Sequence, residues 1–118
     1  MKLAIIGSRG FHDYELLKTE ILIFSFENSI DITEIVSGGA KGADKMAEIF
    51  AAENKLPTTI FLPDWDKHKK SAGFIRNKLI IDTADAVIAF WDGSSRGTLS
   101  SINLAKEKNK LLKIVQYV

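Results

Sequence analysis

The chain has 118 residues, no cysteine, and 16 lysines and arginines against 15 aspartates and glutamates, for a net charge of +1. That length suits one domain spanning residues 1–118, with a core large enough to fold without staples. The absence of cysteine excludes disulfides, thiolate zinc sites and cysteine nucleophiles, and the even charge argues against a general polyanion binder.

The chain opens "MKLAIIGSRGFHDYE". Its apolar part is too short for a signal peptide, and no later run reaches membrane-spanning length, so the expectation is a soluble, cytoplasmic domain. Leu3–Ile6 reads as a first strand, emptying into "GSRGF". A helix follows over about Asp13–Asn28, with Asp13 as N-cap. It is unusually apolar, since Leu16, Leu17, Ile21, Leu22, Ile23, Phe24 and Phe26 cover more than one stripe. The surplus predicts a second buried face, most simply in a homo-oligomer, dimer or tetramer.

Glu34–Ser37 is the second strand, and it empties into "SGGAKGAD". A helix over Ala43–Asn54 is closed by Asn54 and Pro57, because proline cannot continue it. Thr58–Leu62 is the third strand. The stretch "PDWDKHKK", residues 63–70, reads as an exposed loop, in which Trp65 is a candidate to stack on a base. Asp64, Asp66 and His68 alternate as metal ligands sometimes do, but plain loops share that pattern, and no metal is expected. His12 reads as a surface or capping residue. A third long helix spans Ala72–Thr83, a fourth strand Ala86–Trp91, a fourth long helix Thr98–Lys108, and a last strand Leu111–Tyr117.

Strands alternating with helices predict a parallel five-stranded sheet covered on both faces, a Rossmann-like three-layer αβα sandwich. The expected strand order is 3-2-1-4-5. Ligands bind such sheets at the carboxyl ends of the strands, where the strand order reverses. Here that point lies between strands 1 and 4, so the loops "GSRGF" and "WDGSSRGT" face each other, with "SGGAKGAD" beside them.

Each of these loops leads toward a helix, whose first N–H groups are unpaired and partly positive. Glycines let a backbone approach an anion closely, and hydroxyls and arginines add donors. This makes a phosphate cradle the expected function of the edge. One wall is Gly7, Ser8, Arg9 and Gly10. The second is Ser37, Gly38, Gly39, Gly42 and Asp44. The third is Asp92, Gly93, Ser94, Ser95, Arg96, Gly97 and Thr98. A side chain at Gly39 or Gly97 is expected to block a ligand's approach. "SGGAKGAD" is not a Walker A loop, because Lys41 precedes Gly42 and no Lys-Ser/Thr pair follows. Asp44 is either a contact to a ligand hydroxyl or metal, or a carboxylate placed favourably at a helix N-terminus.

The motifs "IIGSRGF", "IVSGGAKGAD", "DW", "SAGFIRN" and "VIAFWDGSSRGT", in this order, resemble the YspA-like, cpYpsA-related branch of the SLOG superfamily. That superfamily also holds the cytokinin-activating LOG proteins and the DNA-processing protein DprA. The resemblance implies a Rossmann-like fold that binds nucleotides or nucleotide-derived ligands, such as a nucleoside phosphate or an ADP-ribose-like signal. It places Arg76 and Asn77 at the side of the cradle and assigns no fixed cofactor. LOG enzymes cleave nucleoside monophosphates with glutamates that would fall at Ser100 and Ser101 here. A glycoside-cleaving site needs a carboxylate near the sugar, so the serines point to a sensor rather than a hydrolase. The alternative is hydrolysis of an N-glycosidic or phosphate bond, with Arg76, Asp44 and Asp92 as the candidate catalytic residues. Nucleic acid is not expected as a partner, given the near-neutral charge and no aromatic-basic stripe.

Overall fold

The computed structural model describes residues 1–117. Five strands form one parallel sheet: β1 (Lys2–Gly7), β2 (Glu34–Ser37), β3 (Thr58–Ile60), β4 (Ala86–Trp91) and β5 (Leu111–Gln116). Their order is β3-β2-β1-β4-β5, as expected. The central strands are apolar, β1 from Leu3 onward and β4 throughout, and Leu3, Ala4, Ile5, Val87, Ile88 and Ala89 are fully buried. A strand covered on both faces needs such a run, because neither side meets water.

The helices are α1 (Tyr14–Glu27), α2 (Ala43–Glu53), the short α3 (Trp65–His68), α4 (Ala72–Thr83) and α5 (Arg96–Glu107). On one face Leu17, Ile21 and Phe24 of α1 and Ala47, Phe50 and Ala51 of α2 pack with Leu3, Ile5, Ile35 and Ile88. On the other, Ile80 and Ile81 of α4 and Ile102 and Ala105 of α5 pack with Ala4, Val36, Val87 and Ala89. Alternate residues of each strand therefore feed opposite cores, as the pleat requires. No helix among the described residues is long and apolar enough to cross a membrane.

Three boundaries differ from the expectations. β3 ends at Ile60, because its one neighbour β2 ends at Ser37, the partner of Ile60. Residues 65–71 are helical, as α3 followed by a 3-10 turn. Asp64 starts that segment, its Oδ1 accepting from Lys67 N at 3.1 Å. α5 begins two residues early, because Ser95 caps it and its Oγ accepts from Thr98 N. On α1, Leu22 and Phe26 of the surplus apolar set are 52% and 86% exposed.

Candidate functional site

β1 and β4 run side by side until Gly7 meets Phe90, and the two chains then part. Ser8 N donates to Phe90 O at 3.0 Å, and Asp92 N donates to the Ser8 hydroxyl at 3.3 Å. The loops after β1 and β4 are thus tied together at their roots. Phe11 anchors the first loop, stacking in the core with Phe90 and Tyr117 at ring separations of 4.8 and 4.9 Å. Trp91 anchors the other, its indole N–H donating to Ser95 O at 3.0 Å. The loop after β2 packs against the first loop backbone to backbone. A Cβ on Gly42 would lie 2.5 Å from Ser8 O, and Gly42 has φ +81°, so glycine is required there twice over.

A cleft of about 460 Å³ opens between these loops, α4 and α5. Of the residues expected at a ligand, the structure brings Gly7, Ser8, Arg9, Gly10, Asp44, Arg76, Asn77, Asp92, Ser95, Gly97 and Thr98 to its walls. Seven others do not line it. Ser37 is fully buried, and its hydroxyl donates to Asp44 O at 3.2 Å. Gly38 lies behind the wall, offering its carbonyl to Arg76. Gly39 has φ +71° and would set a Cβ 2.7 Å from Leu62, and Gly42 packs the loops as described. Gly93, at φ +86°, turns beside Gln116. Ser94 donates its N–H inward to Asp92. Arg96 lines a separate, shallower recess with Phe74 and Leu99, so the two "SRG" copies do not present their arginines to one cavity.

The cleft also takes Ile6, Ala40 and Ile80, which the sequence did not single out, and Ser101, noted there only as a place where the LOG glutamates fall. Helical spacing was the available signal: Ile80 lies one turn beyond Arg76, and Ser101 one turn beyond Gly97. Of the two serines standing where the LOG glutamates fall, Ser101 faces the cleft and Ser100 faces the recess. Trp65 is half exposed and sits over Gly73, outside the cleft lining. Among the described residues no group of three or more histidines, aspartates and glutamates gathers as metal ligands would.

Four charged side chains, Arg9, Asp44, Arg76 and Asp92, line the cleft. Arg76 Nη1 donates to Gly38 O at 2.7 Å and Nε to Asn77 Oδ1 at 2.8 Å, which fixes the guanidinium at the wall. Burial pulls its pKa down, Asp44 opposes the shift, and the positive charge of Arg9 adds to it. Asp44 is only 7% exposed, with Ala40 N donating to its Oδ2 at 3.1 Å. Burial pushes its carboxyl up to about 6, against the Ala40 N–H and Arg76, with Glu48 adding to the rise. Asp92 behaves oppositely. Its Oδ1 accepts from Ser94 N and Ser95 N, each at 2.8 Å, and these bonds hold its pKa below the usual carboxylate range. Asp92 therefore shapes the loop, and Asp44 is the carboxyl in the cleft that exchanges a proton near neutral pH.

The family model for the YspA, cpYpsA-related SLOG family matches residues 1–68. The chain belongs to that family. The matched stretch carries the first two loops of this SLOG cleft, and Arg76 and the β4–α5 loop lie beyond it. No curated protein sequence matches the chain. Two solved structures resemble it. One is DNA processing protein A from Helicobacter pylori, described with its single-stranded DNA binding mode, at 29% identity and a TM-score of 0.71. The other is DNA processing protein A (DprA) from Streptococcus pneumoniae, at 22% identity and a TM-score of 0.77, a likeness of fold. The alignments cover 100% and 99% of this chain but only 66% and 50% of those two.

The Helicobacter pylori relative corrects the expectation that set nucleic acid aside, because a structural neighbour of this SLOG chain binds single-stranded DNA. That expectation rested on the absence of an aromatic-basic stripe and on net charge, which averages over the whole surface. In this cleft Arg9 and Arg76 stand beside Asp44 and Asp92.

Proposed function

We propose that the cleft binds the phosphate and sugar of a nucleotide unit, with the phosphate against the first turn of α5 and the Gly10 loop. The observation that carries this reading concerns two glycines. Gly7, Gly38, Gly39, Gly42 and Gly93 have reasons within the fold, either a positive φ or a neighbour where a Cβ would sit. Gly10, Gly73 and Gly97 have neither: Gly73, outside the cleft, would make only an ordinary 3.7 Å contact, and nothing lies within 4 Å of a Cβ built on Gly10 or Gly97. Both line the cleft, on opposite walls. Glycine within a helix costs about 0.5–1 kcal/mol relative to alanine, so Gly97 is retained at a cost to α5. A bare backbone facing a cleft is what close approach to an anion calls for.

The reading is tested by titrating the protein with nucleoside mono- and diphosphates, ADP-ribose and NAD, followed by nuclear magnetic resonance. Saturable shifts at Gly10, Gly97 and Thr98 are expected, lost in the Arg76→Ala variant. Shifts confined to residues outside the cleft would sink it. Chromatography of the same mixtures reports turnover, and a released base or sugar phosphate would make the cleft a hydrolase site.

A second reading is favoured by the Helicobacter pylori likeness: the nucleotide unit is one link of a single strand of DNA. An oligothymidylate that binds far more tightly than thymidine monophosphate, with affinity falling steeply with salt, separates it from the first.

A further inference from the structure

We propose that the cleft takes up its anionic ligand together with one proton, held on Asp44. This deepens the nucleotide reading above and rests on it.

The geometry places two opposite charges at one spot. A Cβ on Gly38 would lie 2.8 Å from Arg76 Nη1 and 2.9 Å from Asp44 Oδ2, so both groups crowd the same face of the Gly38 backbone. No ion pair joins them among the described residues. Arg76 donates to Gly38 O and to Asn77 Oδ1 instead. An ionised Asp44 nonetheless offsets the field of Arg76, and it repels an anion entering the same cavity. A protonated Asp44 does neither. It leaves the guanidinium charge free to act on the ligand and gains an O–H donor.

The other charges around Asp44 act in known directions. Glu48, one turn along α2, disfavours the ionised form, and Glu48 is itself 3.6 Å from Lys45 Nζ. Arg9, from the first loop, lines the same cleft, and its charge is felt at Arg76. Asp92, across the cleft, is held ionised by two backbone N–H groups. One imidazole also touches the first loop, with His12 Nδ1 2.9 Å from Gly10 O. Free Asp44 titrates at about 6, and the arriving anion raises it further by simple repulsion of like charges. At neutral pH the free protein is therefore mostly ionised there, and binding must draw a proton from solvent.

The test uses thymidylyl-(3′→5′)-thymidine, whose phosphodiester and bases keep their charge throughout the working range. Calorimetry in two buffers of different ionisation enthalpy reads the protons taken up. The wild-type protein is expected to take up a substantial fraction of one proton at pH 7. Its affinity should fall up to tenfold per pH unit above about 6. The Asp44→Asn variant keeps an acceptor for the Ala40 N–H. It should show no uptake and a flat profile, at the affinity that the wild type reaches in acid. His12→Gln should behave as wild type. Binding by the wild type with no proton uptake would overturn the proposal, as would uptake that persists in Asp44→Asn or vanishes in His12→Gln. No binding at any pH would overturn the nucleotide reading itself.

Discussion

Gly97→Ala separates what a glycine does for the ligand from what it does for the fold. Gly97 is the second residue of α5, its φ is not positive, and a Cβ there meets nothing within 4 Å. Alanine should therefore stabilise the helix by about 0.5–1 kcal/mol, through its lower backbone entropy when unfolded. In a chain of this length that raises Tm by roughly 2–5 °C. Gly97 lines the cleft, so under the proposed reading the added methyl crowds the bound phosphate, and such overpacking costs about 1–3 kcal/mol. Nucleotide affinity should drop by about 5- to 150-fold. Gly73→Ala is the matched control. Gly73 is the second residue of α4, its Cβ would sit at an ordinary 3.7 Å from Trp65, and it lies outside the cleft lining. It should raise Tm and leave affinity alone. Thermal denaturation and calorimetric titration on both variants give the answer. If Gly97→Ala is stabilised and binds as well as wild type, the glycine does not serve a ligand and the argument fails.

Gly42→Ala should behave in the opposite way. Its backbone, at φ +81° and ψ −129°, is one that only glycine adopts comfortably, and the new Cβ would collide with Ser8 O and Arg9 O. Strain alone costs about 1–3 kcal/mol, so a large fall in Tm is expected, and an unchanged Tm would contradict the loop packing. Asp92→Ala removes the acceptor that gathers Ser94 N and Ser95 N, and should lower both Tm and nucleotide affinity. Asp92→Asn keeps an acceptor oxygen and should retain most of both, and equal damage from the two variants would make the charge itself the cause. Asp44 also carries a stability signature. Its folded pKa of about 6 lies above its ordinary 3.8, so the native state binds the proton more tightly than the unfolded chain. Stability from this group is full below about 4, falls as pH rises toward 6, and stays low above it. The two-unit gap is worth on the order of 3 kcal/mol, so Asp44→Asn should melt higher than wild type at pH 7.5 and match it near pH 4. Parallel melting curves at the two pH values would refute the burial argument.

The fold was legible because its signals were redundant. Apolar runs marked β1 and β4, and strand-helix alternation fixed a parallel sheet. The cleft was legible in its location, since the reversal of strand order between β1 and β4 puts the "GSRGF" and "WDGSSRGT" loops together. It was not legible residue by residue. "SGGAKGAD" reads as a ligand loop, yet three of its glycines serve the chain: one clears Arg76 and Asp44, one clears Leu62, and one clears the first loop. A glycine in a sequence records the need for small size without saying which neighbour imposes it. Arg96 faces away because α5 starts at residue 96 rather than 98, and two residues of helix turn a side chain through more than half a circle. The boundary moved because Ser95 caps the helix, a role hidden among three adjacent small residues.

That division of labour among glycines bears on how the cleft can work. Loops at a switch point are free of the sheet and would be mobile if nothing held them. Here each is held from behind: Phe11 and Trp91 anchor the outer two, Asp92 closes the third, and Gly42 seats the second on the first. Gly10 and Gly97, from two of these loops, both line the cleft with open space at their Cβ positions. A ligand entering such a cleft pays little to order the loops, so its affinity depends on charge and fit. The charge within that rigid frame is the part that varies. Backbone N–H groups hold the Asp92 carboxyl below the usual carboxylate range, whereas burial pushes that of Asp44 up to about 6. Under the proposed nucleotide reading, protonation of Asp44 is the change of charge within the cleft that sets affinity.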